Sequence, residues 1–430
     1  MGSRAARPLH LVMSSQSRSL SPQQRHAFTA CFLGWTLDAF DFFILVFCVA
    51  PIARYFQATP ALVAEALFLT LAFRPVGAFL FGALADRYGR RPILMLNIAC
   101  YSAFELASAF ATSLHALFWL RALFGIAMGG EWGVGAALAF ETLPKERRGF
   151  FSGVLQEGYA VGYLAAAAAY ALLFPLFSRM TWHGHPVGWR GMFLVGAAPA
   201  LLVFYIGRQV QESPVWRERE AVKAQVAAQV KTSLASGIRQ FAPTFLFLVL
   251  LMTCFNAFSH GTQDLYPTFL EKGHHFSATL TGVVAIIYNV GALLGGVFFG
   301  GISERFGRKR TIITAALLSL PVIPLYALAH SLIALASGAF LMQFMVQGAW
   351  GVVPAYLSEL SPGPMRAIFP GLAYQLGNLI TSRNAVLQAR AAERFGGFGR
   401  VLAVTVLLVA SCLALVTYFG RESRGTDITV

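Results

Sequence analysis

Polar side chains interrupt one long apolar stretch of the chain at a helical spacing. Within residues 241–270, Asn256, His260 and Asp264 recur every four residues, which places them on one face of an α-helix. An amide and an imidazole can bind an organic anion, and an imidazole beside a carboxylate can relay a proton because histidine titrates near neutral pH. We interpret Asn256 and His260 as substrate-binding residues, and His260 and Asp264 as proton-coupling residues. The alternative is an interhelical hydrogen bond that only stabilises packing.

Eight other ionisable residues fall inside long apolar stretches. They are Arg74, Arg121, Arg383, Asp38, Asp41, Glu105, Glu131 and Glu157. Ionisable side chains at membrane depth are costly and are functional candidates by default. Each of the three arginines is a candidate for anion binding, because a guanidinium binds a carboxylate through a planar fork. The two aspartates are candidate proton carriers, whereas the three glutamates are better explained as partners of buried arginines.

Asp38, Asp41 and Arg121 fall at a similar depth in their helices. Counted at ~1.5 Å per residue from the predicted helix ends, all three lie roughly 17–21 Å deep. We therefore expect an aspartate to pair with Arg121 across a cavity. Protonation of the aspartate would release Arg121 for a substrate carboxylate, which links proton binding to anion binding. The alternative is a static pair that only joins helices.

These residues need helices that cross a membrane to position them. The 430 residues are 57% hydrophobic and only 12% charged, whereas soluble globular chains carry about 25% charged residues. This composition excludes a soluble enzyme. Apolar runs of about 18 residues or more can cross a bilayer. Twelve such runs, which we number spans 1–12, lie near residues 27–53, 60–85, 92–112, 115–141, 149–177, 188–207, 241–270, 278–303, 310–330, 332–358, 366–389 and 399–420.

Lysine and arginine are distributed unequally between the loops, within a net charge of +14. The loops on the side that holds both termini carry most of them, so the positive-inside rule predicts cytoplasmic termini. The sequence contains no N-x-[ST] glycosylation acceptor, which favours a bacterial inner membrane. The expected organisation is a tail (1–25), a six-helix half (26–208), a cytoplasmic linker (209–240), a second half (241–420) and a tail (421–430).

Cysteine and loop histidine residues provide no recognisable metal site. The five cysteines lie in separate apolar runs without a C-x-x-C motif, which is typical of packing residues. The pairs His183/His185 and His274/His275 have no third ligand in view, and zinc sites need at least three protein ligands. We expect no metal and no cofactor.

Two motifs recur in the two parts of the chain. The sequence GALADRYGRR (82–91) after span 2 matches GGISERFGRK (300–309) after span 8. The sequence ETLPKERR (141–148) after span 4 matches ELSPGPMR (359–366) after span 10, and both matches have the same offset of 218 residues. The chain is therefore a duplication of one six-helix unit.

This duplication resembles the major facilitator superfamily, whose two halves rock around a central cavity to give alternating access. The resemblance implies an all-α membrane protein with twelve transmembrane helices in two pseudo-symmetric halves. It also implies a charged latch on the cytoplasmic side; the alternative is a solvated turn that anchors helix ends. Residues 212–216 resemble the superfamily's P-E-S-P-R-W turn, with Val215 where arginine is usual. The implied gating residues are Gly82, Asp86, Arg87, Arg90, Arg91, Glu141, Arg148, Glu304, Arg305, Arg308, Glu359 and Arg366.

Span 7 carries a narrower resemblance. Residues 256–268 match the pattern N-x-x-[ST]-H-x-[ST]-Q-D-x-x-x-T of the lactate and pyruvate proton symporters, which are related to the sialate:proton symporters. Gln375 and Asn378 lie in a stretch that resembles the Q-L-G-N-L of the lactate carriers, which implies contacts to a hydroxyl or keto oxygen. Arg121-x-x-x-Gly-x-x-x-Gly resembles proton-coupled sugar carriers, in which this arginine faces a first-helix aspartate.

The resemblance implies a monomeric proton symporter of short monocarboxylates such as L-lactate and pyruvate, acting in the lipid bilayer without nucleic acid. Sialate, an aromatic acid or a dicarboxylate are the rival substrates. A dicarboxylate would require two arginines facing one cavity. A transporter-like sensor is a rival from another class, although the sequence has no appended signalling domain.

Overall fold

The computed structural model describes residues 20–182, 185–186, 188–226, 239–395 and 397–426. These residues are almost entirely helical. Most of the expected tail 1–25, part of the linker, His183 and the last four residues lie outside the described ranges, so the expectations for them are not addressed by the structure.

Spans 1–6 are each built from one helix or from two helices in line. Their helices are Pro22–Tyr55, Pro60–Tyr88, Arg90–Ala109, Leu114–Gly129 with Glu131–Thr142, Arg148–Gln156 with Gly158–Arg179, and Gly188–Val195 with Ala200–Gln209. A short 3₁₀ helix, Lys145–Arg147, precedes span 5, and helix Pro214–Val226 follows span 6. The strands Thr181–Trp182 and His185–Pro186 form a two-residue antiparallel ribbon after span 5.

Spans 7–12 repeat this arrangement. Their helices are Ala242–Gln263 with Tyr266–Thr268 and the π-helix Phe269–Gly273, Ala278–Phe306, Arg308–Leu318 with Leu320–Val322 and Pro324–Leu328, Leu332–Trp350 with Val353–Leu360, Ile368–Thr381 with Asn384–Arg394, and Phe398–Phe419. The 3₁₀ helix Gly363–Met365 precedes span 11.

Eleven helical segments among the described residues are long and apolar enough to cross a membrane. The remaining predicted span is span 11, which divides at Ser382 and Arg383 into two shorter helices. The division follows the polar sequence Thr381-Ser382-Arg383-Asn384. The predicted twelve-helix, two-half architecture is confirmed, with span 11 as a broken helix.

Side chains and glycines fix where several helices begin and end. At the start of span 1, Ser21 Oγ accepts from the backbone of Gln24 while Gln24 Oε1 accepts from the backbone of Ser21, so a capping box satisfies two free N–H groups. Gly89 and Gly307 end spans 2 and 8 with φ of +106° and +96°, a conformation that glycine adopts without steric cost. We call the end of the bundle with these two turns the gate side, and the other end the far side.

Each half has its own packed interior, and the halves meet along two pairs of helices. The first pair is spans 2 and 11, where a Cβ added to Gly82 would lie 2.9 Å from Ile368 Cα. The second pair is spans 5 and 8, where a Cβ added to Gly153 would lie 2.3 Å from the carbonyl oxygen of Gly296. Small residues are needed at these points because association inside lipid depends on close packing. These contacts lie toward the gate side, so the halves are closed there.

Candidate transport site and gate

The N-terminal half contains a buried ion pair between spans 1 and 2. Arg74 Nη2 donates to Asp38 Oδ2 at 2.8 Å, and the two side chains are almost fully buried. Arg74 also lies 5.9 Å from the ring centre of Phe42. The aspartate therefore pairs with the arginine of the neighbouring span 2.

Arg121 has a different partner. Its Nη1 lies 2.7 Å from Glu105 Oε2 on span 3, and its Nη2 donates to Ser108 Oγ at 2.6 Å. The rings of Phe124 and Phe193 cover the guanidinium, which is fully buried. The expected pairing of Asp38 or Asp41 with Arg121 is therefore wrong in this state. Equal depth does not make a pair, because Arg121 points toward spans 3 and 6. Glu105 is the partner of a buried arginine, as expected.

Two further carboxylates of this half are buried without a hydrogen-bond partner among the described residues. Both oxygens of Asp41 and both of Glu131 lack one. Asp41 interacts electrostatically with Glu105 and Asp38, so it lies between the two ion pairs. Burying an unpaired carboxylate is very costly unless it takes up a proton. Asp41 and Glu131 are therefore candidate proton-binding residues of this half.

The polar face of span 7 meets span 11. His260 Nδ1 lies 3.2 Å from Asp264 Oδ1, and its Nε2 lies 3.2 Å from Asn378 Oδ1. The side chains of His260 and Asp264 are 39% and 37% exposed although both lie within a span. Asn256 is buried and donates to the Met252 carbonyl of its own helix at 2.8 Å. Unlike His260 and Asp264, it takes no part in the contact between spans 7 and 11.

A cleft separates the halves on the far side. On span 5, Tyr159 and Tyr163 are 36% and 37% exposed. Tyr159 interacts electrostatically with Arg74 and Asp38 of its own half and with Asp264 of the other. These partly exposed residues of spans 5 and 7 therefore lie near each other between the two halves. The Arg74–Asp38 pair lies at the inner end of this cleft.

Aromatic rings from both halves close the cleft toward the gate side. Tyr374 of span 11 lies with ring centres 5.1 Å from Trp132, 6.4 Å from Trp35 and 5.7 Å from Trp350. The indole N–H groups of Trp132 and Trp350 and the whole amide of the neighbouring Gln375 are buried without partners among the described residues. We call Trp35, Trp132, Trp350 and Tyr374 the aromatic floor. The unpaired indole N–H groups of the floor and the Gln375 amide can donate hydrogen bonds to a bound solute. No sequence motif indicated the floor; the abundance of aromatic residues was the available signal.

The predicted anion contacts therefore occupy separate places. His260 and Asn378 are in contact at the cleft, Gln375 is buried one turn before Asn378, and Arg74 lies near Tyr159 in the other half. Arg383 is exposed at the break in span 11, and Arg121 lies behind phenylalanine rings.

The gate residues of the N-terminal half form one buried network. Arg90 binds Glu141 through two hydrogen bonds of 3.0 and 2.8 Å, and its Nη1 lies 2.9 Å from Asp86. Glu212 accepts from the backbone N–H groups of Arg90 and Arg91. The Glu-Ser turn after span 6 is therefore part of this network.

The C-terminal half repeats the network. Arg308 binds Glu359 at 3.1 and 3.0 Å, and Glu422 accepts from the backbone of Arg308 and Lys309. Ser423 Oγ donates to Glu359 as Ser213 Oγ donates to Glu141. Sequence reasoning missed Glu422 and Ser423, although the recurring Glu-Ser dipeptide after spans 6 and 12 was an available signal.

Several contacts of the gate join the two halves directly. Asp86 Oδ1 accepts from the backbone of Ala367 at 3.4 Å, and Arg366 lies 3.7 Å from Glu141. The backbone N–H of Phe150 donates to Glu304 at 2.9 Å. These contacts place acidic and basic gate residues of opposite halves together, as a latch requires.

The remaining gate residues lie at the margin of this network. Arg148 donates to the Phe140 carbonyl of its own half, Arg87 stacks over the exposed ring of Tyr88, and the backbone of Arg305 accepts from Arg424. Val215 is buried, and Arg219, one helical turn further on, donates to the carbonyls of Asp86 and Gly363. Burial lowers the pKa of Arg219.

Loop histidines do not form a metal centre in the described part of the chain. His274 lies 6.1 Å from His330 between ring centres, and burial together with the neighbouring His330 and His275 lowers the pKa of His274. No group of three or more candidate ligands occurs among the described residues.

Two six-helix halves, a latch on one side and a polar cleft on the other define a membrane transporter and not an enzyme. The chain belongs to the sugar (and other) transporter family, whose model matches residues 27–237 and 248–424.

Two relatives and one solved structure illustrate this membership. A carboxylic acid transporter protein homolog of Saccharomyces cerevisiae is 28% identical over 396 residues, covering 88% of this chain and 63% of that protein. A probable 4-methylmuconolactone transporter of Cupriavidus pinatubonensis is 31% identical over 373 residues, covering 85% of this chain and 83% of that protein. The proton:xylose symporter XylE superposes with a TM-score of 0.75 at 18% identity, over 95% of this chain and 98% of that chain.

Proposed function

We propose that the chain is a proton-coupled symporter of short monocarboxylates such as L-lactate and pyruvate. The observation that carries this proposal is the contact of His260 with both Asp264 and Asn378 at the edge of the cleft. It joins the two segments that resemble the lactate carriers. The similarity to a carboxylic acid transporter homolog supports the same substrate class.

The substrate carboxylate binds Arg74 at the inner end of the cleft. Asp38 competes for the same guanidinium, so protonation of Asp38 releases Arg74 for the anion. Asp41, buried without a partner, is a second proton acceptor beside this pair. Proton binding and anion binding are then coupled, because protonation of Asp38 frees Arg74 for the anion and a bound anion in turn favours protonated Asp38.

The substrate's hydroxyl or keto oxygen binds the polar groups opposite Arg74. The amide of Gln375 is buried with neither atom bonded, and Asn378 and His260 lie on the same side of the cleft. A dicarboxylate is disfavoured because Arg121 is already paired with Glu105 behind aromatic rings, which leaves one buried arginine at the cleft.

Alternating access moves the bound pair across the membrane. Spans 2 and 11 and spans 5 and 8 separate on the gate side as the cleft closes. The excess of lysine and arginine in the gate-side loops favours a cytoplasmic gate, so the structure corresponds to an outward-facing carrier in the inner membrane. One chain contains both halves, and we propose that it acts as a monomer.

Uptake of radiolabelled lactate into proteoliposomes tests the proposal. We expect uptake to accelerate when the outside is more acidic than the inside, and unlabelled pyruvate to compete. Stronger competition by sialate, an aromatic acid or a dicarboxylate would replace the monocarboxylate with that acid. Binding of lactate without counterflow would instead favour a sensor.

A further inference from the structure

One buried acid of the described residues lies at an interface between the two halves, apart from the transport site. Glu157 lies on span 5 where this span meets span 8, about 14 Å from the gate-side end of span 5. The residue is buried, at 6% exposure. Its Oε1 has no hydrogen-bond partner among the described residues. A Cβ added to Gly296 would lie 2.0 Å from this oxygen, so the carboxyl occupies the space that a side chain would take.

Glycines from three spans pack together beside this carboxyl. Besides Gly296, they include Gly153 one turn earlier on span 5 and Gly351 on span 10, both of which pack against the Gly296 carbonyl. The helices packed here carry other ionisable groups, among them Asp38 and Asp41 on span 1, Tyr159 on span 5, Tyr288, Glu304 and Arg305 on span 8, and Tyr356 and Glu359 on span 10. Among the described residues, Glu157 forms no hydrogen bond or ion pair with any of these groups.

The internal duplication supplies a natural comparison. The 218-residue offset relates Gly153, Gly351 and Gly296 to Gly371, Gly133 and Ala78. Those three residues pack together where span 11 meets span 2 and span 4, with a Cβ on Gly371 3.1 Å from Gly133 Cα and 3.9 Å from Ala78 Cβ. The two interfaces between the halves are thus built alike.

The residue equivalent to Glu157 is Gln375, which is also buried at 2% exposure. One interface therefore carries an acid where the other carries the neutral amide of the same shape. An amide needs no proton to be buried, whereas an isolated carboxylate does. The closed span 5–8 interface accordingly holds Glu157 in its neutral form.

We propose that Glu157 is a proton-binding site whose occupancy is tied to closure of the gate side. The closed interface binds the proton, and separation of spans 5 and 8 admits water and allows its release. The proposal rests on the alternating access of the proposed function but not on the identity of the transported acid. The role of Glu157 differs from that of the cleft residues, because its protonation depends on closure of the interface and not on bound substrate.

The test measures the gate in the substrate-free protein, in a background without native cysteines. Nitroxide labels replace Tyr88 and Phe306, which are 52% and 63% exposed at the gate-side ends of spans 2 and 8. Double electron–electron resonance then gives the ratio of open to closed gate across a pH series. One linked proton raises this ratio with pH by up to about tenfold per unit, and Glu157→Gln should remove this component and keep the gate closed.

Gln375→Glu is the matched variant, because it places an acid in the equivalent interface. In this variant, the ratio of open to closed gate should rise with pH more steeply than in the parent protein, because a second proton is linked to closure. The proposal is overturned if Glu157→Gln retains the pH response of the parent protein, or if the parent shows none. Because no substrate is present, failure of lactate transport leaves these outcomes interpretable.

Discussion

Arg74→Lys tests the assignment of the anion site. Lysine retains the positive charge beside Asp38 but cannot present a planar fork to a carboxylate. Arg74 is 3% exposed, so its contact with the anion is shielded from water. A hydrogen bond to a charged group contributes about 1.5–3 kcal/mol, and each 1.4 kcal/mol changes an equilibrium constant tenfold. We therefore expect the Kd for lactate to rise roughly 10- to 150-fold.

Isothermal titration calorimetry in detergent gives this Kd directly, and Arg190→Lys is the control. Arg190 is also a buried arginine of the N-terminal half, but it donates to the carbonyls of Ala109 and Ala111, away from the cleft. Arg121→Lys should weaken lactate binding less than Arg74→Lys does. The reverse order would contradict the assignment and return the anion site to Arg121.

Three further predictions concern coupling and the gate. Adding lactate to de-energised cells or liposomes should turn the medium alkaline. Uptake that is unchanged when the proton gradient is collapsed would exclude proton symport. Asp264→Asn should stop uphill uptake but spare lactate/lactate counterflow, whereas His260→Ala should weaken both because His260 also contacts the substrate side of the cleft; loss of counterflow and binding in Asp264→Asn would assign Asp264 to the substrate site. Glu422→Ala removes an acceptor of two backbone N–H groups, which costs about 1–3 kcal/mol. Alkylation of a cysteine introduced by Ile368→Cys should then accelerate roughly 5- to 150-fold, whereas Arg421→Ala should not change it.

The gate is the part of the site that the sequence predicted best. The pairs Arg90–Glu141 and Arg308–Glu359 lie in motifs that recur at a fixed offset, and each motif sits at a helix end where the chain must turn. Position in the sequence then determines position in space. The glycines at 89 and 307 show why, since their positive φ fixes the direction of the helix that follows.

The partners of the buried arginines were not predictable in the same way. Helical rise gives the depth of Arg121 and Asp38, but it does not give the direction in which each side chain points. That direction depends on how the helices are rotated against each other, which arises from packing of many residues. Arg74 was a candidate for the same reason as Arg121, and only the rotation of span 2 sets it beside Asp38. The break in span 11 likewise depends on the neighbouring helices.

The aromatic floor provides an optical signal without any label. Three of the seven tryptophans of the chain, Trp35, Trp132 and Trp350, surround the single ring of Tyr374. Trp350 and Tyr374 belong to one half, and Trp35 and Trp132 belong to the other. Rocking of the halves must therefore change the surroundings of two indoles relative to Tyr374 while leaving the third in place. The intrinsic fluorescence of the unmodified protein should follow each transport cycle in real time.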